Sequence, residues 1–357
     1  MQVQAPWLAA CVVGLRGTAW GGAQVPVRMK AGRAPARLRH LQQQVSAMTP
    51  DMAVPAPAHG SSPTSQHQHG GWLLVQSLLA HGVDRVFAVP GESYLAVLDG
   101  LYEAPSVEVV VCRQEGGCAM MAEADGKLTG HPGIAMVTRA PGATNASAGV
   151  HIAFQDSTPM VLLVGQVGRE MVDREAFQEV DYRKIFGPGV GLAKACFQID
   201  SAARIPEYLN RAFALAMSGR PGPVVLALPE DVLSTRVDPA TAPIPPPARQ
   251  LQPMPTVDAM AELGEMLHHA TRPVVLAGGG GFWGADSCQS LAEWAAAWSM
   301  PVVAAFRRQD VIDNRHPCYV GHLGIGPDPA VARLVSAADL LIGACTDNPR
   351  CAHLLCR

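Results

Sequence analysis

The stretch Val107–Ala122, VEVVVCRQEGGCAMMA, decides how the rest of the chain reads. Its first five residues form a short apolar strand interrupted only by Glu108. Glu115 follows at the point where a helix begins, and that helix is apolar on nearly every side. An ionised carboxylate is costly to leave unpaired in such surroundings. Two readings stand. Glu115 is a salt-bridged acid favoured by the helix dipole, with Arg113 as partner, or it is kept there for chemistry. Gly116, Gly117, Cys118, Ala119 and Met120 leave room for another group to pack closely, which keeps the second reading open.

Three more glycine-marked junctions lie around this one: Val89-Pro90-Gly91-Glu92, the run RAPGATN from Arg139 to Asn145, and Gly165-Gln166. The four strand ends are expected to form one site with Glu115 at its centre. The Pro141-Gly142 turn into Thr144 and Asn145 either presents backbone N–H groups at a helix start or is an ordinary strand-to-helix turn.

Working outward, Trp72, Leu73, Val75, Leu78 and Leu79 recur at helical spacing. Ser93 is expected to cap a helix carrying Leu95, Val97, Leu98 and Leu101. Apolar strands are expected over 107–111, 134–138, 159–165 and 223–228, alternating with helices. Continuous apolar strands of this kind belong to a parallel sheet covered on both faces. The expected fold class is α/β: a doubly wound parallel-sheet domain over residues 71–236, followed by a Rossmann-like central domain over 256–357. A stiff proline-rich linker, VDPATAPIPPPARQLQPMP, separates them over 237–255. The second unit has three or four strands, few for an open sheet, and reads as truncated.

Residues 1–70 differ from the rest. Arg16, Arg28, Arg33, Arg37 and Arg39 all precede the first acid, Asp51. The segment is expected to be a disordered extension or spurious leader: a transit-type leader, or upstream sequence translated from too early a start, with Met48 or Met52 the true beginning. Of the 357 residues, 48% are hydrophobic and 16% charged, with a net charge of −3. That supplies a large core and gives no reason to expect a nucleic-acid partner. No apolar run approaches the roughly 20 residues that span a bilayer, so no membrane partner is expected. The nine cysteines are scattered, mostly in apolar runs, as in a reduced cytoplasmic protein.

Other motifs are weaker. Gly279, Gly281 and Gly284 fit a dinucleotide-loop spacing, but four adjacent glycines match it easily, and no acid stands clearly at the end of the next strand. Cys345, Cys351, His353 and Cys356 lack the paired zinc knuckle, and His67 and His69 read as solvated linker, so no metal site is expected. There is no Gly-x-Ser-x-Gly elbow. Asp156-Ser157 is expected as polar lining of the site.

Taken together, Arg113 to Ala122, Gly130-His131-Pro132-Gly133, Pro141 to Asn145, Asp156-Ser157 with Pro159, Gly165-Gln166-Val167, Ala176 to Glu179 and Ser218 to Val224 resemble acetolactate synthase and its thiamine-diphosphate-dependent relatives. The second unit resembles that family's central domain through Arg272-Pro273-Val274 and Gly321-His322-Leu323-Gly324. The resemblance implies that Glu115 hydrogen-bonds N1′ of the cofactor's aminopyrimidine and favours its imino tautomer. It implies decarboxylation of a 2-oxo acid such as pyruvate and carboligation to an acetohydroxy acid, as in branched-chain amino acid biosynthesis. Pro90 and Gly91 would line the pyrimidine pocket, with Pro141, Gly142 and Asn145 also at the cofactor. Phe177 and Gln178 would approach substrate and thiazolium. Lys194 would be a substrate-side lysine, although the preceding segment 187–193 is a few residues longer than usual.

The departures from the family matter. No Gly-Asp-Gly motif of the kind that holds magnesium and the diphosphate is present, so the chain is expected to bind only the pyrimidine half of thiamine diphosphate. Mg²⁺ would need the missing domain, and the chain is expected to be inactive alone. Arg139-Ala140 stands where Ser-Gly or Arg-Gly is usual. The lack of an arginine just before Lys194, and of Met-His-Gly near Gly321, argues against FAD. A homodimer or homotetramer is expected, or pairing with a full-length relative. The alternatives are a non-catalytic binding or regulatory fragment, and half of a decarboxylase of the benzoylformate or indolepyruvate type.

Overall fold

The computed structural model describes residues 68–248, 254–279 and 285–344, together with the backbone of residues 10–13. The expectations for His67, for Gly281 and Gly284, and for the tail from Cys345 to Cys356 lie outside these residues. The first unit runs through α1 (Gly70–Ala80), β2 (Arg85–Ala88), α2 (Leu95–Tyr102), β3 (Glu108–Val111), α3 (Glu115–Thr129), β4 (Gly133–Val137), α4 (Pro141–Asp156), β5 (Met160–Gln166), α5 (Tyr182–Phe186), β6 (Ala195–Gln198), α6 (Ile205–Met217), β7 (Pro223–Pro229) and α7 (Glu230–Ser234), with β1 (Ala10–Val13) upstream. The second runs through α8 (Val257–His269), β8 (Pro273–Ala277), α9 (Ala285–Trp298), β9 (Val302–Ala304), β10 (Tyr319–His322), α10 (Pro329–Ser336) and β11 (Leu340–Ala344).

Strands β2 to β7 form one six-stranded sheet in the order β3-β2-β4-β5-β7-β6, and every pairing in it is parallel. β4, β5 and β7 are buried along their whole length, which is why they are apolar at consecutive positions. Alternate side chains feed two cores. Val86, Ile134, Met136, Val161 and Leu163 pack with Leu74, Leu78, Val97 and Leu209 of α1, α2 and α6. Phe87, Ala135, Val137, Leu162 and Val164 pack with Ala119, Ala122, Ala146, Val150 and Phe186 of α3, α4 and α5. This is the doubly wound arrangement that the strand pattern predicts.

The second unit repeats the plan. Strands β11, β8, β9 and β10 are parallel neighbours. Val275, Val302 and Ile342 face Leu263, Leu291 and Ala295 of α8 and α9, while Val274, Leu276 and Val303 face Val331 and Val335 of α10.

Residues 10–13 form β1, which pairs antiparallel with β11. The edge of a sheet offers a row of unpaired N–H and C=O groups to any extended segment. Ser93 does not cap α2. A short 3₁₀ turn, Glu92–Tyr94, precedes that helix, and α2 starts without a side-chain cap. The buried Ser93 hydroxyl hydrogen-bonds Thr138 Oγ1 at 2.8 Å instead.

Candidate functional site

Because the sheet is parallel, the turns after β2, β3, β4, β5 and β7 all emerge at one edge. Glu115 is the first residue of α3, whose N-terminus is capped by Gln114; the Gln114 side chain accepts the Gly117 N–H at 2.9 Å. Glu115 is half-buried. Its Oε2 accepts a hydrogen bond from Asn145 Nδ2 at 3.0 Å, across from the first turn of α4. Among the described residues the ion pair with Arg113 does not form.

The other junctions close on the same place. A Cβ at Gly142 would stand 3.6 Å from Glu115 Oε1 and 3.0 Å from Thr138 Cγ2. A Cβ at Gly91 would come within 2.5 Å of Thr138 Cβ. Gly165 lies directly against Ser93, which bonds Thr138. Thr138, at the end of β4, is thus the hub on which three turns converge, and Glu115 stands beside it. Sequence reading missed Thr138 and gave Ser93 a capping role instead, since a single hydroxyl residue carries no pattern that points to a buried hydrogen bond.

Behind Glu115 lies a buried group of protonated side chains. The Tyr94 hydroxyl donates to the Val89 carbonyl and so fixes the turn before Pro90. Burial first, then Cys118 and the Glu115 charge, push the Tyr94 phenol up. Burial pushes the Cys118 thiol up to about 12, with Cys112 and Glu115 adding to it. Both stay neutral at ordinary pH, so neither is a nucleophile there.

Phe177 and Gln178 lie on a loop with three non-glycine residues in the left-handed region: Asp173 at φ 63°, Glu175 at φ 52° and Gln178 at φ 65°. Such conformations persist only where the surroundings hold them. Glu179 does this. Its carboxylate accepts the Asp173 N–H at 2.7 Å and the Ala176 N–H at 3.0 Å. Those donors hold the carboxyl below the usual range. A carboxyl lowered in the folded state stabilises the loop above its ordinary pKa and releases it as pH falls through the lowered value. Hydrogen-exchange protection at Asp173 and Ala176 should therefore fall in acid. Glu179→Gln should remove that pH dependence, and a loop equally protected in both proteins at all pH values would refute the role.

The fold places two candidates elsewhere. Lys194 immediately precedes β6, at the opposite edge of the parallel sheet from Glu115. Its Nζ donates to the Leu215 and Ser218 carbonyls, the latter at 2.6 Å, closing the end of α6. Desolvation and Arg220 lower its pKa. Asp156 ends α4, also at that far edge, so it does not line the Glu115 site. It is a buried acid shared by Lys127 at 2.7 Å and Arg307 at 2.9 Å, which ties the first unit to the loop after β9.

Arg139 and Phe177 line a cleft of about 460 Å³ at the site edge, together with Val167, Met171 and Glu230. Phe177 is 73% exposed.

This is the edge at which an open α/β sheet takes its ligands, and the chain belongs to the thiamine pyrophosphate enzymes. Residues 68–185 match the family described as "Thiamine pyrophosphate enzyme, N-terminal TPP binding domain", and residues 260–352 match "Thiamine pyrophosphate enzyme, central domain". Among curated proteins, the chain is similar to the acetolactate synthase isozyme 2 large subunit of Escherichia coli (strain K12), at 33% identity over 283 residues, 77% of this chain and 48% of that protein. It is 36% identical over 259 residues to the isozyme 3 large subunit of the same organism, 72% of this chain and 44% of that protein. It is 32% identical over 264 residues to the acetolactate synthase of Arthrospira platensis, 72% of this chain and 45% of that protein. The chain spans about half the length of the curated relatives it matches. No helix among the described residues is long and apolar enough to cross a membrane.

Proposed function

We propose that residues 71–236 bind the pyrimidine end of thiamine diphosphate and serve 2-oxo acid decarboxylation and carboligation of the acetolactate synthase kind. The observation that carries this is Glu115: a half-buried carboxylate, oriented by Asn145 Nδ2, beside the Gly142 turn. The donor set fits the group. A carboxylate acceptor edged by Gly91, Gly142 and Gly117, the last with nothing within 4 Å of an added Cβ, suits a flat aminopyrimidine ring. When bound, the cofactor supplies the electron sink for decarboxylation. The chain's own residues do the rest. Glu115 holds a proton at N1′ of the ring. Asn145 fixes one carboxylate oxygen, so the other is directed toward the Gly142 turn. Pro90, Gly91 and Pro141 border the ring, and Phe177 and Gln178 border the substrate and limit water.

The 357 residues contain no Gly-Asp-Gly sequence to hold Mg²⁺ and a diphosphate. A segment that carries one, in this protein or in a relative, would complete the site, and FAD is not invoked. The outward side of α3 and the end of β3 support pairing with such a segment: Met120, Met121, Leu128 and Val111 are all exposed, Leu128 at 86%. The same face favours a second reading, a catalytically silent module that binds a relative. We place the protein in the cytoplasm on its buried reduced thiols, Cys112, Cys118 and Cys196.

Purified chain with thiamine diphosphate, Mg²⁺ and pyruvate is expected to release no CO₂. Adding a polypeptide with the Gly-Asp-Gly domain should start release. Release by these 357 residues alone would show that they need no such segment. A stable complex that stays silent would select the binding module.

A further inference from the structure

We propose that Arg139 anchors the carboxylate of the 2-oxo acid, and that the acid is a monocarboxylate with a branched or longer apolar side chain. The proposal rests on the reading above and names the substrate class of the same site. Arg139 is only 9% exposed, an unusual depth for a guanidinium. One of its nitrogens, Nη2, is paired with Glu92. Nη1 is 3.8 Å from Glu230 Oε2, beyond hydrogen-bond reach. Nε is buried and has no hydrogen-bond partner among the described residues. A buried donor left unmade costs free energy until an acceptor reaches it. A carboxylate brought to the Nε–H, beside the Glu92-paired Nη2, would make that missing bond as a charge-assisted contact.

The position is right for substrate. The Gly142 N–H donates to the Arg139 carbonyl at 2.9 Å, so one turn carries both Arg139 and the glycine that faces Glu115. Arg139 lines the 460 Å³ cleft, whose other walls include Val167, Met171 and Phe177. That volume falls within the range of small-molecule sites and exceeds what a three-carbon acid fills. The lining acids choose between acids. Asp231 is held by Arg169 at 2.6 Å, but Glu230 lies half-exposed beside the cleft. A second carboxylate on the ligand would meet that charge, whereas an apolar side chain would meet Val167, Met171 and Phe177.

The test is calorimetric titration of the purified chain with 3-methyl-2-oxobutanoate, its methyl ester and 2-oxoglutarate. The first should bind, and Arg139→Gln should weaken it about tenfold or more, the loss of a charge-assisted hydrogen bond. The ester and 2-oxoglutarate should bind wild type at least about tenfold more weakly than the first acid, and the ester should be indifferent to the substitution. Phe177→Ala should weaken the branched acid. Should Arg139→Gln not fold, the Arg139 Nε–H resonance of wild type serves instead, moving on titration with the acid and not with the ester. Absence of acid binding, equal binding by Arg139→Gln, or an ester as tight as the acid would each overturn the anchor. Thermal protection by thiamine diphosphate, run in parallel and compared with Glu115→Gln, reads the underlying proposal separately. Intact cofactor protection with an indifferent Arg139 sinks only this inference.

Discussion

Glu115→Gln is expected to lower CO₂ release by the completed enzyme by about 10²- to 10⁴-fold, the range of positioned acid–base groups. Glutamine keeps the shape of the side chain and an oxygen that still accepts the Asn145 amide at its 3.0 Å position. It cannot share a proton with a ring nitrogen. Glu115 is half-buried and sits at the edge of the core, so the melting temperature should move by only about 2 °C. Single-turnover CO₂ release and a thermal melt check the two halves. An unchanged rate would remove Glu115 from the chemistry. A lost rate with a collapsed melt would make it structural.

Gly149→Val should damage the scaffold where it holds the site. A Cβ at Gly149 would lie 2.5 Å from Ala119 Cβ, 2.7 Å from the Ala119 carbonyl carbon and 2.7 Å from Met120 N. Two of these atoms are backbone and cannot turn aside, so α3 must leave α4. Overpacking of this kind costs about 3 kcal/mol or more, a fall of roughly 6–12 °C for a unit of this size. The damage should reach the site, because Glu115 and Asn145 lie on the two helices that are forced apart. Thiamine diphosphate protection in a thermal shift assay should vanish with it. Gly117→Ala is the control. It meets nothing within 4 Å, and alanine in a helix should raise stability by about 0.5–1 kcal/mol. If Gly149→Val melts like wild type, the helix contact is not as close as described.

Much of this was legible in the chain. The apolar runs at 134–138, 159–165 and 223–228 named β4, β5 and β7, because a strand buried on both faces cannot alternate. Parallel strands separated by helices then placed the turns after β2, β3 and β4 at one edge, and with them Glu115, Gly91, Gly142 and Asn145. That inference needs only connectivity. Where local signals competed, sequence misled. Ser93 is a good cap residue, but its hydroxyl is buried and takes Thr138. Asp156-Ser157 looked like site lining, yet α4 runs back along the sheet and carries Asp156 to the far edge, between Lys127 and Arg307. Lys194 precedes a parallel strand, so it starts where Glu115's strand starts and not where it ends.

The sequence by itself determined the doubly wound class and the glutamate at the head of α3, which follow from period, order and local residue type, while the family came from the resemblance of its motifs. Only the tertiary structure decided which groups touch Glu115 and what Arg139 faces. The Asn145–Glu115 hydrogen bond spans 30 residues, Thr138 meets Ser93 across 45, and Arg139 reaches Glu92 across 47. Such pairs depend on how closely α3 and α4 pack and on where each turn leaves the sheet, and no periodicity along the chain encodes that distance.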